Sequence, residues 1–383
     1  MTKVALIGGG ASNLLLASLL SKHNNVKVDI IEIRERVGKK ILETGNGKCN
    51  FTNLNITKYD YNHEDFVENI INKDVITTFS NLGLLYYSDD EGRCYPTSDA
   101  SNTILDLLRF TYLSNNNFNE LINTNVEKIE KENQGYYLFI NNKKEYYDYV
   151  VIGIGSKVNN PKFKDLNLKL NTIKHKPSLC PLNVEISGLK GVRVKCEVKL
   201  LDNSNSIYVE KGEVIFKDNA ISGIAIFNAS FYLNKYKLTN PYISLDLFPN
   251  IELNDLITFL NKKVNLDPLN FFIGITNKAL SLYLIKRLNL KDKINDKDII
   301  KIAKELKNLT FKINGLFDAP QVSSGGININ EVNSNLELNK YKNIFMAGEC
   351  LDIDAKCGGY NLHFAFSSAI TIYEELTKRL CLK

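Results

Sequence analysis

The sequence predicts an α/β protein with an antiparallel β insertion, and three observations predict it. The first 32 residues read as strand, glycine turn, helix and strand. Residues 192–200 alternate apolar and charged side chains with a period of two, and a further strand–glycine–acid–helix pattern returns at 344–380. Two segments of one α/β type at opposite ends of a chain mean that the chain leaves a domain and comes back to it. The resulting division is 1–177 with 318–383 for the α/β domain, 178–251 with 309–317 for the inserted β domain, and 252–308 for a small helical subdomain.

Taken in order, Val4 to Ile7 form a buried strand, Gly8-Gly9-Gly10 turn it, and Leu14 to Lys22 continue with helical apolar spacing. Gly8 permits the tight turn. Gly10, lacking a Cβ, lets a pyrophosphate approach backbone N–H groups at the positive end of the helix, so Gly8, Gly10, Ala11, Ser12 and Asn13 are expected nucleotide contacts. Glu32 closes the second strand, Lys27 to Glu32, about 20 residues beyond the glycines, where a carboxylate accepts from a ribose hydroxyl. Asn13 stands where this Rossmann-like pattern wants a third small residue. Its amide must displace the helix or bond locally, and overpacking of that kind costs roughly 1–3 kcal/mol.

At 383 residues, with 44% hydrophobic and 24% charged residues, the chain suits a soluble protein of two or three domains. Its net charge of +5 comes from Lys residues scattered among Asp and Glu, which argues against a nucleic-acid partner. No apolar run approaches the ~18 residues of a membrane span, and the N-terminus passes straight into a strand without an apolar leader, so a cytoplasmic protein without a membrane partner is expected. The seven cysteines contain no C-x-x-C pair and the four histidines no H-x-x-x-H pair, so no metal is expected.

Residues 34–53 hold too many glycines and short polar residues for a regular element, and a long ordered loop in a compact domain is usually functional. Gly38-Lys39-Lys40 followed by Gly45-Asn46-Gly47-Lys48-Cys49-Asn50-Phe51-Thr52-Asn53 resembles the G-K-K-x-x-x-(S/T)-G-x-G-R-C-N-x-T-N signature of the BaiN-like or YhiN-like (aminoacetone-oxidase-like) FAD-dependent oxidoreductases. Lys48 stands where that family has Arg, which keeps the charge but loses the planar fork. The resemblance adds Lys39, Lys40, Gly45, Asn46, Gly47 and Asn50 to the expected cofactor contacts.

Residues 54–115 read as helices around a loop. Gly92-Arg93-Cys94-Tyr95-Pro96-Thr97-Ser98 is similar to the family's G-R-x-F-P-x-S, with Ser98 expected to cap a helix from Asp99 to Leu113. Arg93 is an ordinary surface arginine or lies near flavin and substrate; with Tyr95 it is a candidate catalytic residue. Three β-rich runs at Val126–Ile129, Tyr136–Ile140 and Glu145–Ile152 make a meander that returns to Gly153-Ile154-Gly155. Val126, Gly153 and Gly155 join the expected cofactor contacts, the last two as a second nucleotide-approach loop or a plain strand-ending turn.

Pro177-Ser178-Leu179-Cys180-Pro181-Leu182 resembles the family's P-S-L-x-P-L at the start of its inserted domain. The alternation at Val192–Leu200 means one buried and one wet face, and Ile207–Glu210 with Glu213–Phe216 flank Lys211-Gly212 as an expected hairpin. A barrel-like domain follows. Where the family has L-F-T-H-x-G-x-S-G-P, this chain keeps only Ser222-Gly223, so no role of that His carries over. Residues 252–308 show helical spacing and no chemistry.

Ala319-Pro320-Gln321-Val322-Ser323-Ser324-Gly325-Gly326-Ile327 resembles the family's A-x-V-T-x-G-G-V, and Ile344 to Glu349 is a strand ending in Gly-acid before a helix at about Leu362 to Leu380. The resemblance implies that the acid lies near the ribityl chain and that the helix aims its N-terminus at the flavin pyrimidine, where reduced flavin carries negative charge. Gly348, Glu349, Asp352, Gly359, Tyr360 and Asn361 are therefore expected contacts. His363 replaces the family's common glutamine, either as an acid–base group or as a hydrogen-bonded core histidine.

The resemblance implies an FAD-dependent oxidoreductase that moves hydride at flavin N5, either reducing an activated double bond or oxidising a small amine. Nicotinamide has no glycine fingerprint of its own here, so NAD(P)H would bind transiently over the flavin. A small-molecule substrate and a homodimer are the expected partners. The second reading is a degenerate flavoprotein kept as a nucleotide-binding scaffold, motivated by Asn13, Lys48 and the altered Gly153 turn. Flavin-dependent RNA modification is opposed by the lack of a concentrated basic patch.

Overall fold

A computed structural model describes residues 1–156, 166–203, 205–318 and 320–381, and the expected contacts at Gly45 and Asn46 lie outside what it describes beyond their backbone. The chain forms two compact units, Met1–Lys176 with Ser323–Lys383, and Pro177–Val322.

In the first unit, β1 (Thr2–Ile7), α1 (Ala11–Leu20) and β2 (Val26–Ile31) make the βαβ unit. After α2 (Lys39–Glu43) come β3 (Thr52–Asn53), α3 (Glu64–Ile71), α4 (Val75–Asn81), β4 (Tyr86–Ser88), β5 (Arg93–Pro96), α5 (Ser101–Leu113) and β6 (Phe118–Leu121). The meander is β7 (Val126–Glu132), β8 (Gly135–Ile140) and β9 (Lys143–Tyr147), and β10 (Tyr149–Ile152) follows it. The run expected as one strand at 145–152 is thus two. Asp148 divides it, accepting from the Lys3 N–H at 2.8 Å and so leading the chain from the meander into the main sheet.

β11 (Thr172–Ser178) belongs to the crossing between units. The second unit is built from β12 (Leu182–Val184), β13 (Arg193–Asp202), β14 (Asn205–Lys217), β15 (Ala220–Ser222), α6 (Ile224–Tyr236) and β16 (Pro241–Asp246). It continues with α7 (Leu253–Asn261), α8 (Pro268–Phe271), α9 (Lys278–Leu288), α10 (Asp296–Lys307) and β17 (Leu309–Leu316). The return supplies β18 (Val322–Ile327), β19 (Ile344–Met346) and α11 (Tyr360–Arg379).

The main sheet has the order β19-β10-β1-β2-β6, with every pair parallel. Val4, Ala5, Leu6, Val150, Val151, Ile152, Ile344, Phe345 and Met346 are fully buried, as parallel strands covered on both faces require. First and last segments of the chain therefore lie in one sheet, separated by β10 alone.

The second unit closes β12-β15-β14-β13-β16-β17 into a barrel. Two expectations change here. Lys211-Gly212 is no turn: β14 runs unbroken through it, Gly212 faces Cys196, and the β13–β14 hairpin turns between Asp202 and Asn205. Gly212 instead leaves room for α6, since a Cβ there would lie 3.2 Å from that of Ala225. Residues 252–308 have no core of their own either. Leu256, Leu260, Leu284, Ile299 and Ile302 share one apolar cluster with barrel residues such as Val198 and Phe311, because each short amphipathic helix has a single stripe to bury.

Ser98 does not cap α5. The helix begins at Ser101 behind Ala100, and Ser98 Oγ meets Thr103 Oγ1 at 2.6 Å.

Candidate functional site

The glycine turn after β1 is built by close approach. Gly8 has φ +97°, and a Cβ on it would lie 2.6 Å from the Gly153 carbonyl oxygen, so the first turn is seated directly on the turn after β10. Gly10 leads into α1 with no side-chain cap, which leaves the first N–H groups of the helix to a ligand. Glu32 accepts from Gly9 N–H at 2.7 Å through Oε2 and from Arg34 N–H at 2.9 Å through Oε1. Val126 is buried at the start of β7, two residues past Thr124, whose N–H donates to the Glu32 carbonyl.

Asn13 is fully buried and bonds locally. Its Nδ2 donates to the carbonyls of Ile7 (3.0 Å) and Gly8 (2.8 Å), tying α1 to the end of β1. The room comes from Gly153, where a Cβ would lie 2.8 Å from Asn13 Nδ2.

The C-terminal turn meets the N-terminal one. Gly348, at φ +65°, has its missing Cβ position 3.2 Å from Ser12 Oγ, and its N–H donates to Ser368 Oγ at 2.9 Å. Glu349 pairs through Oε2 with Lys40 from α2, and Gly155 lies beside the same carboxylate, 3.6 Å from its would-be Cβ. Lys39, by contrast, pairs with Glu35 at 2.7 Å on the surface.

At the start of α11, Asn53 Nδ2 donates to the Gly358 carbonyl at 2.9 Å, and a Cβ on Gly359 would lie 2.7 Å from Asn50 Oδ1. The Asn361 side chain closes the preceding loop on Ala355, accepting from its N–H and donating to its carbonyl, each at 3.0 Å. Tyr360 is buried and its carbonyl accepts from Tyr61 Oη at 2.9 Å. The helix starts behind Gly359 with no side-chain cap. Asp352 is engaged elsewhere, with Oδ1 accepting from Gly325 N–H at 2.9 Å and Oδ2 facing His63 Nε2 at 3.0 Å.

The three candidate catalytic residues divide. β5 pairs with β3, so Arg93 and Tyr95 are brought to the Asn53–Gly358 contact. Arg93 is held by Asp89 (2.8 Å) and Glu91 (2.9 Å) of its own hairpin, and Tyr95 stacks on Tyr87 with ring centroids 5.7 Å apart. His363 is buried instead: Nε2–H donates to the Ile71 carbonyl and Nδ1 accepts from Thr52 Oγ1–H, both at 2.7 Å. Burial pushes its pKa down to about 4. With both nitrogens taken, the ring is a neutral pin between β3, α3 and α11, which corrects the expected acid–base role.

Among the described residues, Asn13 Oδ1, Asn50 Oδ1 and Glu349 Oε1 are buried acceptors without a partner. Each such orphan costs roughly 1–3 kcal/mol unless a ligand supplies a donor. They lie on the three segments that form the cradle, and a flavin dinucleotide carries the matching donors in its ribityl hydroxyls and ring N3–H. The residues therefore fit that group. Among the described residues no three His, Cys, Asp or Glu side chains gather as a metal site, and no helix is long and apolar enough to cross a membrane.

A family model described as "HI0933-like protein Rossmann domain" matches residues 2–374. The chain belongs to this flavoprotein family. Among curated relatives, the 3-dehydro-bile acid delta(4,6)-reductase of Clostridium scindens is 27% identical, over 96% of this chain and 97% of that protein. The ribosomal RNA dihydrouridine synthase of Escherichia coli is 24% identical, over 97% of each. Among solved structures, the 3-ketosteroid delta1-dehydrogenase from Sterolibacterium denitrificans shares the fold with a TM-score of 0.52 at 11% identity, over 99% of this chain and 100% of that one. Membership of the HI0933-like family makes this an oxidoreductase of the flavoprotein type.

Sequence reasoning missed the pairing of Lys40 with Glu349 and the contact of His63 with Asp352. Both join residues about 300 positions apart, and no local pattern announces them.

Proposed function

We propose that this protein is an FAD-dependent reductase of a carbon–carbon double bond conjugated to a carbonyl, acting on a small ring ketone with NADH or NADPH as electron donor. The observation that carries the reading is the cradle at the contact of the Gly8–Ser12 and Gly348–Glu349 turns, with its partnerless buried acceptors. Two relatives support the bond type, since one is named for reducing steroid double bonds and the other for making dihydrouridine, the 5,6-reduced form of uridine.

When bound, the flavin supplies a hydride at N5. The chain's own residues do the rest. Glu32 would accept from the ribose hydroxyls, and the N–H groups at the start of α1 would hold the pyrophosphate. Glu349, steadied by Lys40, and Asn50 would accept from the hydroxyl and N–H donors of a bound flavin. The start of α11, which carries no side-chain cap, would favour negative charge on a bound reduced ring.

The test is reconstitution with FAD, anaerobic reduction by NADPH or NADH, and mixing with progesterone, a 3-oxo-Δ4 steroid. Flavin reoxidation with formation of the saturated ketone and no peroxide is expected. A colourless protein that takes up no FAD overturns the reading.

A second reading places the same reduction on a uracil ring of ribosomal RNA. The Escherichia coli relative favours it, as does the fact that the net charge of +5 falls entirely within residues 177–322. A steeply salt-dependent affinity for ribosomal RNA, with dihydrouridine as product, would select it.

A further inference from the structure

Reduction of a conjugated double bond needs a proton as well as a hydride, and the residues placed around the cofactor cradle leave the proton unassigned. Four histidines are available. His363 has both nitrogens engaged, His23 Nε2 is bonded to Tyr373 Oη at 3.0 Å, and the His175 Nδ1–H points at the Ser324 carbonyl at 3.3 Å. His63 differs. Its Nε2 meets Asp352 Oδ2 at 3.0 Å, its Nδ1 has no partner among the described residues, and its side chain is 35% exposed.

The pair is built rather than casual. Asp352 is 11% exposed and fixed from behind by Gly325 N–H at 2.9 Å, where a Cβ on Gly325 would strike the Lys174 carbonyl at 2.7 Å. His63 sits in the left-handed region at φ +49°. Asn62 locks the same segment, donating through Nδ2 to the Asp352 carbonyl at 3.2 Å and accepting through Oδ1 from Asp354 N–H at 3.0 Å. The loop so clamped, Leu351 to Cys357, connects the Gly348–Glu349 turn to the glycines before α11. Those are the two turns that would hold the flavin ring.

We infer that His63, oriented by Asp352, hands the proton to the substrate in the proposed reduction. The inference rests on the reductase reading. The β-carbon would take, with its electron pair, the hydride that a bound reduced flavin supplies. The double-bond pair shifts to give an enolate, and the α-carbon takes the proton from His63 Nδ1, which restores the carbonyl. Neutral His63 regains its proton from water. Asp352 accepts from Nε2–H throughout. Asp60, three residues before His63, pairs with Lys356 at 2.6 Å.

The test uses FAD-loaded protein and progesterone. His63→Gly suits the positive φ and His63→Asn tolerates it, so both variants should fold and bind FAD as the wild type does. Each should slow steroid-dependent flavin reoxidation by about 10²-fold, within the range for a general acid. Added imidazole should restore rate to His63→Gly. Independently of turnover, the ring NMR signals of His63 in oxidised protein should move when the saturated ketone product is added. If wild type binds FAD but never reduces the steroid, the reductase reading fails. If wild type turns over while His63→Gly matches it and the ring signals stay still, the proton-donor assignment alone fails.

Discussion

Asn13 and Gly153 occupy one space: the Asn13 amide lies where a Gly153 side chain would stand, within 2.8 Å of its would-be Cβ, while bonding to the ends of β1. The enlarged residue at the third fingerprint position and the altered second glycine turn are thus two halves of one adjustment.

Gly153→Ala should therefore destabilise the protein by roughly 1–3 kcal/mol through overpacking. Asn13→Ala should cost a similar amount, by leaving the Ile7 and Gly8 carbonyls without their donor. The double variant should cost less than the sum, because the added methyl enters space that the amide has left. Urea denaturation of all four proteins checks this, and strict additivity would show that the two side chains do not share the space.

Glu32 faces two backbone N–H donors at 2.7 and 2.9 Å with a carboxylate whose remaining lone pairs suit a ribose. Glu32→Gln turns an amide NH2 toward those donors. FAD affinity should fall about tenfold to a hundredfold, the worth of a hydrogen bond to a charged group at 1.5–3 kcal/mol. Titration of apoprotein by flavin fluorescence measures it.

His363 makes a pH prediction. Its folded pKa, about 4, lies below the unfolded value of 6.5, so below pH 6.5 the unfolded chain binds a proton that the folded one refuses. Stability from this site is complete above pH 6.5 and drains as pH falls towards 4, at about 1.4 kcal/mol per pH unit. His363→Gln, which removes the titrating group, should flatten that part of the profile. Thermal melts at pH 7, 6 and 5 compare the two, and parallel slopes would contradict the assignment.

How far the sequence reached follows from distance along the chain. The βαβ unit, Glu32 and the glycine turns were legible because strand period, glycine and acid fall within 32 consecutive residues. The inserted barrel was legible from the alternation at 192–200. Gly212 was misread as a turn because a glycine that admits a helix and a glycine that bends a strand look alike until Ala225 is in place. His363 was ambiguous because its partners, Thr52 and Ile71, belong to other elements. The Asn13 adjustment needed Gly153, 140 residues away.

The strongest stability prediction concerns the far end of α11. Glu337, only 1% exposed, is gripped by Arg379 with Nη1 at 2.8 Å from Oε1 and Nη2 at 2.9 Å from Oε2, and Asn343 N–H donates to it at 2.7 Å. Burial alone would raise its pKa, but the guanidinium and the amide outweigh burial and bring it down to about 2. A depressed carboxylate stabilises the fold above the unfolded value of 4.5, and that contribution is lost as pH falls from 4.5 towards 2. Arg379→Ala leaves this carboxylate buried with its main cation gone, and should cost roughly 3–5 kcal/mol at neutral pH. Arg379→Ala with Glu337→Gln should recover part of the loss, since a neutral amide does not need the cation. Denaturant melts of the single and double variants at pH 7 give the comparison, and a single variant as stable as wild type would mean that the pair contributes nothing to the fold.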